Sequence, residues 1–359
     1  MKQSFKKIIP SIFLVMVFAT FNILVMASGA IQETRVLSAS GTIEYIFSAT
    51  PTPTPTLIPV PTPVTSLPLT GLGGDYLVHF GDQSPEVWIS ETWIEMLAEN
   101  RDKGYHTSRL GFEFGDGTCH STLDYEKFDR VLEIFDSVNI DVIPVAWDDQ
   151  TCNSEFLNTY KADWLNFVSY YKGDSRIVAV SIFSEQTNSI LTELSRFELT
   201  QYSAELTKEI HLVDPDRIVI FPFPALIYGT FAEWYADLQQ TEILSEPNVV
   251  FDVVHPYYFE NDWDMGLTPE AKAVWYGKGW ISPSVNFFGA NRVFAGETFA
   301  GTAPIVWDSP EPTPELQVRF LTAIINEYVE YDIGFSIWAV LGNGPKFYLN
   351  ELGWLASDY

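Results

Sequence analysis

Arg176-Ile177-Val178-Ala179-Val180-Ser181-Ile182-Phe183-Ser184-Glu185-Gln186-Thr187-Asn188 begins as a short run of Val, Ile and Ala and ends on an acid. A run of this length, β-branched and bounded by polar residues, reads as a strand buried on both faces. Period-two alternation puts Ala179, Ser181, Phe183 and Glu185 on one face, and Val178, Val180 and Ile182 on the other. The segment Arg292 to Gly301 repeats the design: Val293, Ala295 and Glu297 share a face, and the acid again stands at the end of the strand. Two carboxylates at the C-terminal ends of two buried strands point to paired acid chemistry, provided that the fold brings those ends together.

The pattern on either side supplies such a fold. From about Gly71 onward, short apolar runs alternate with longer segments of helical periodicity. The strands are expected at Tyr76–Phe80, Thr107–Phe112, Asp141–Ala146, Ile177–Phe183, Ile218–Phe223, Val249–His255, Arg292–Gly296 and Ile333–Trp338. Helices are expected at Ser90–Asp102, Tyr125–Ser137, Ala162–Tyr171, Leu191–Leu212, Tyr228–Leu244, Pro269–Tyr276 and Glu315–Tyr331. Strands alternating with helices imply α/β architecture, and eight of them predict a (β/α)8 barrel of the TIM type over residues 71–359. A doubly wound open sheet is the competing arrangement, but no early strand is followed by a glycine-rich phosphate loop.

Upstream of residue 71 the composition changes. Lys2, Lys6 and Lys7 precede an almost wholly apolar stretch from Ile8 to Val25 and the small residues Ala27-Ser28-Gly29-Ala30. That is the layout of a secretory signal over residues 1–27, with cleavage expected near Ala27 or Ala30. The apolar stretch is also long enough to serve as an uncleaved anchor. Residues 31–48 alternate like a short strand or hairpin. Across 49–70, proline at every second position in Pro51-Thr52-Pro53-Thr54-Pro55 and Pro59-Val60-Pro61-Thr62-Pro63 blocks helix and ladder alike, predicting a stiff, extended linker.

The formal net charge of −27 repels nucleic acid and anionic lipid, so neither is an expected partner, and a membrane enters only if the N-terminal segment stays uncleaved. A monomer is expected. The two cysteines, Cys119 and Cys152, each follow a predicted strand on the same rim of the barrel, which favours a disulfide over two buried thiols. Such a bridge is worth about 3–4 kcal/mol on the chain-entropy model.

Active sites of these barrels lie at the C-terminal ends of the strands. Those ends carry Arg109 through Glu113, Trp147-Asp148-Asp149, Ser184-Glu185, His255-Pro256-Tyr257, Gly296-Glu297 and Ser336-Ile337-Trp338. Over about Gly71 to Leu341 the chain resembles the glycoside hydrolases of clan A, most closely the family 5 cellulases. Arg109, Glu185, His255 with Tyr257, Glu297 and Trp338 match that family's motifs in order. The resemblance implies a secreted, retaining β-glycosidase acting on a β-linked polysaccharide or oligosaccharide, with no metal or organic cofactor. Glu185 would be the general acid/base and Glu297 the nucleophile, their carboxyl groups about 5–5.5 Å apart as retention requires. Arg109 and Tyr257 would donate to Glu297, His255 would contact it or the substrate, and Trp338 would stack on a sugar ring.

Two positions depart from the family. Ser184 stands where the family has an asparagine that bonds the sugar 2-hydroxyl, and Trp147-Asp148 where it usually has a histidine. Trp147 and Asp148 are candidate subsite residues all the same. Other readings stay open at this stage: rim carboxylates held in ordinary salt bridges, Arg109 as a structural counter-ion, a carbohydrate-binding barrel without turnover, or a transglycosidase using the same pair of acids.

Overall fold

The computed structural model describes residues 31–37, 43–49, 72–76, 91–102, 106–113, 123–147, 156–183, 195–222, 231–258, 267–300 and 313–338. The chain divides into two compact units, Met1–Ile58 and Pro59–Tyr359. In the first, β1 (Ile31–Leu37) and β2 (Ile43–Ala49) form an antiparallel hairpin, with Ile31 opposite Ala49 and Leu37 opposite Ile43.

The second unit is a closed barrel. Its strands are β3 (Leu72–Tyr76), β4 (Thr107–Glu113), β5 (Asp141–Trp147), β6 (Ala179–Ser181), β7 (Ile218–Phe221), β8 (Val249–Asp252), β10 (Val293–Ala295) and β12 (Gly334–Trp338). All eight neighbouring pairs are parallel, and β12 closes the ring onto β3. Two short strands, β9 (Tyr257–Tyr258) and β11 (Phe299–Ala300), pair with each other in a separate parallel sheet. The first barrel strand begins four residues earlier than the expected Tyr76–Phe80, and residues 77–80 lie outside the described residues. Its Leu-Gly-Gly-Asp-Tyr sequence has no apolar run to announce it, and its place comes from the backbone partners that β4 and β12 offer on either side.

Helices follow the strands: α1 (Glu91–Asp102), α2 (Tyr125–Ser137), α3 (Phe156–Tyr170), α4 (Arg196–Val213), α5 (Phe231–Gln239), α6 (Pro269–Tyr276), α7 (Ser282–Phe288) and α8 (Pro314–Tyr331). Their starts are written in the sequence. Asp124 accepts from the Lys127 amide at 3.2 Å, Ser195 and Glu198 form a reciprocal capping box, and Thr268 and Thr313 each cap a helix that opens on proline. In α2 the buried Phe128, Val131, Leu132 and Phe135 fall at helical spacing and turn one stripe toward the strands.

Alternation along the strands divides the core into two layers. Ile143, Ala179, Ile220, Val250 and Phe294 fill the inside of the barrel. Val142, Val180, Val219, Phe251, Val293 and Ala295 face the helices. The N-terminal face is sewn shut by two buried arginines. Arg217 is ion-paired to Asp214 at 3.0 Å and donates to the carbonyls of Tyr171 at 2.8 Å and of Ile177. Arg292 donates to the carbonyls of Val249 at 2.9 Å and Leu244 at 3.0 Å.

Two face assignments from alternation need correction. Ala179 and Ser181 stay on the inward parity, but β6 stops at Ser181, and Phe183 turns to the helix layer, where it stacks on Tyr160 with centroids 4.8 Å apart. On β10 it is Phe294 that points inward, while Val293 and Ala295 face the helices. Glu297 therefore reaches the barrel mouth because the chain leaves the strand after Ala295, and not by sharing a face with Val293 and Ala295.

Candidate active site

The site is built where a ladder is interrupted. β8 and β10 pair Phe251 with Val293 and Asp252 with Phe294; further along, Tyr257 pairs with Phe299 and Tyr258 with Ala300. The same register holds on both sides of the gap, so His255 stands level with Glu297, and Pro256 with Thr298. Proline has no N–H to give to a ladder, which accounts for part of the break.

The groups released by the break are taken up by side chains. The Gly296 N–H donates to Asp252 Oδ1 at 2.9 Å, and the Gly296 carbonyl accepts from both Arg109 and Ser336. Arg109, Asp252 and Ser336 are fully buried. All three lie on inward positions of their strands: Arg109 is opposite Ile143, and Asp252 is opposite Phe294. A Cβ on Gly296 would run into the Asp252 carboxylate, so this peptide can come so close only as glycine.

Around Glu297 the geometry is ionic. Its Oε1 lies 3.8 Å from Arg109 Nη1, an ion-pair rather than a hydrogen-bond separation, and its Oε2 lies 3.8 Å from His255 Nδ1, beyond hydrogen-bond reach. The far ring nitrogen, His255 Nε2, is 2.8 Å from Asp252 Oδ2. A carboxylate only accepts, so Nε2 carries the proton in this contact. Thr298, also buried, shares a 2.6 Å hydrogen bond with the Tyr328 hydroxyl. Burial pushes the Tyr328 phenol well above its ordinary range, which keeps it neutral. Glu297 is thus flanked in the chain by two anchored residues, Gly296 held to the barrel wall and Thr298 to α8.

Of the residues expected from sequence, Arg109, His255 and Glu297 come together here. Trp147, Tyr257 and Trp338 stand at the C-terminal ends of β5, in β9 and at the end of β12, and only their backbones are described. Ser184, Glu185, Asp148, Cys119 and Cys152 lie outside the described residues. The distance between Glu185 and Glu297 and the expected disulfide fall with them. Asp252 was missed. Its signal was available: an acid inside the continuous apolar run Val249-Val250-Phe251-Asp252-Val253-Val254 is buried on either strand face and must find a donor.

No family model and no curated protein matches the chain. Solved structures do. An endoglucanase superposes with a TM-score of 0.56 at 13% identity, over 77% of this chain and 91% of that one. A GH5-4 broad-specificity endoglucanase from an uncultured bacterium gives 0.57 at 12% identity, over 81% and 93%. The cellulose synthase subunit Z of Clostridioides difficile gives 0.53 at 16% identity, over 76% and 93%. At such identities the likeness is one of fold: the chain is a (β/α)8 barrel of the kind on which these endoglucanases are built.

Proposed function

We propose that the protein is a secreted, retaining β-glycosidase of the family 5 type that cleaves a β-linked glucan, with Glu297 as nucleophile and Glu185 as general acid/base. The observation that supports this most directly is Glu297 itself: a buried carboxylate at the mouth of the barrel, just past its seventh strand, between Arg109 and His255. The glucan comes from the endoglucanases that share the fold.

On this reading a Glu297 oxygen attacks the anomeric carbon while Glu185 gives its proton to the departing glycosidic oxygen, leaving a glycosyl ester on Glu297. Glu185, now ionised, takes a proton from water, the hydroxide attacks the same carbon, and Glu297 leaves as a carboxylate. Arg109 pairs with the reacting carboxylate, and the His255 ring stands beside it. Tyr257, Trp338, Trp147, Asp148 and Ser184 are the residues assigned to the sugar.

The test is incubation with soluble β-glucan, mannan, xylan and galactan, with the anomers of the first-formed products followed by NMR. Hydrolysis with retention is expected, and Glu297→Gln should lower kcat by roughly four to six orders of magnitude, as removal of a nucleophile does. Inversion, or full activity in Glu297→Gln, overturns the reading. Sugar affinity without turnover in both forms would make the protein a binding barrel, and longer products at high substrate concentration would make it a transglycosidase.

A further inference from the structure

We propose that Asp252 is a positioning residue for Glu297, acting on it through two arms at once: the Gly296 peptide and the His255 ring. The proposal rests on the reading of Glu297 as the reacting carboxylate.

Asp252 is fully buried on the inner wall of the barrel, at the last rung before the ladder breaks. Its neighbours on that wall, Val250 one turn of the pleat below and Phe294 across the rung, are apolar. Packing alone asks for another apolar residue here, because a buried carboxylate is costly unless its oxygens are satisfied. Both oxygens are used, and each goes to a group that touches Glu297. Oδ1 accepts the N–H of Gly296, the residue bonded to Glu297, at 2.9 Å. Oδ2 accepts from His255 Nε2 at 2.8 Å, while the other nitrogen of that ring faces Glu297 at 3.8 Å.

The first arm fixes a backbone direction. Asp252 holds the peptide plane before Gly296 by its N–H, while Arg109 and Ser336 hold the plane after it by its carbonyl, so both torsions of Gly296 are fixed and the direction in which the next side chain leaves is set. The second arm fixes a tautomer. Because Asp252 requires a proton on Nε2, it decides which face of the imidazole Glu297 meets.

Asp252→Asn separates a positioning role from a merely structural one. The amide has the same shape and can still accept from the Gly296 N–H, but its NH2 then faces Nε2 and forces the ring proton onto Nδ1, toward Glu297. The expected result is a fall in kcat of about a hundredfold with KM changed little, an altered pH–rate profile and a melting temperature close to that of the unaltered protein. In long-range 1H–15N spectra, the His255 signal, assigned by its loss in His255→Gln, should report Nε2–H in the unaltered protein and Nδ1–H in Asp252→Asn. Unchanged kcat and pH profile in a folded Asp252→Asn overturn the proposal. So does an Nδ1–H tautomer in the unaltered protein, a measurement that holds even if Asp252→Asn fails to fold. If the unaltered protein hydrolyses nothing, the glycosidase reading fails by itself, and the tautomer still decides whether Asp252 sets the ring.

Discussion

Gly296 sits between a strand and the carboxylate proposed as nucleophile, and the two roles make opposite demands on it. A strand interior favours a side chain that packs; the approach of Asp252 leaves no room for even a methyl group. Asp252 cannot yield, since it is fully buried and its two oxygens are committed to Gly296 and His255. Gly296→Ala should therefore destabilise the protein by about 1–3 kcal/mol and lower kcat more than it raises KM. Thermal melts and steady-state kinetics on the same preparation check both halves. At this scale the sequence revealed what stood out against apolar neighbours at a strand end, namely Arg109, His255 and Glu297. Asp252 was hidden because alternation read off a chain assigns faces and says nothing of which backbone amides will leave the ladder. Only the pairing of β8 with β10, and its loss at Gly296, gives that acid its donors.

Among the elements, some helices were read closely and others were not: α3 begins at Phe156, six residues before the expected Ala162, and α5 ends at Gln239, five before the expected Leu244. α2 and α6 begin and end where the periodicity and the caps at Asp124 and Thr268 put them. β6, β8 and β10 are shorter than their apolar runs, because a run continues past the point where the chain bends out of the sheet. Two contacts between elements yield predictions. Arg217 ties the turn before β7 to the carbonyls of Tyr171 and Ile177, at the end of the barrel away from the rim cluster. Arg217→Ala leaves Asp214 buried without its guanidinium, and should cost about 3–5 kcal/mol in denaturant unfolding while kcat at 25 °C stays unchanged. Between α6 and α8, the Arg319 guanidinium hydrogen-bonds Glu270 and holds its carboxyl down at about 2. A depressed acid stabilises the fold above the ordinary carboxylate range and loses that contribution as the pH falls toward 2. The pair is solvent-exposed, so the effect is small and weakened by salt. Melting curves should show Glu270→Gln slightly less stable at pH 7 in low salt and indistinguishable from the unaltered protein near pH 2.

For the whole molecule, the eightfold alternation of short apolar runs with helical segments was sufficient to give the ring of strands, because each parallel crossover needs a helix and each helix needs a strand to cover. The exception was the first strand, whose two glycines and missing apolar run give no local signal. Its position is a property of the closed ring, in which β12 and β4 leave a gap one strand wide. The break between β8 and β10 has a further consequence. The two strands part after their second rung, Asp252 with Phe294, and pair again from Tyr257 with Phe299 without slipping, so the opening between them is framed above and below by sheet. Because the rungs on either side keep the barrel shut, His255, Gly296 and Glu297 can leave the ladder between them and be aimed at the mouth without loosening the scaffold.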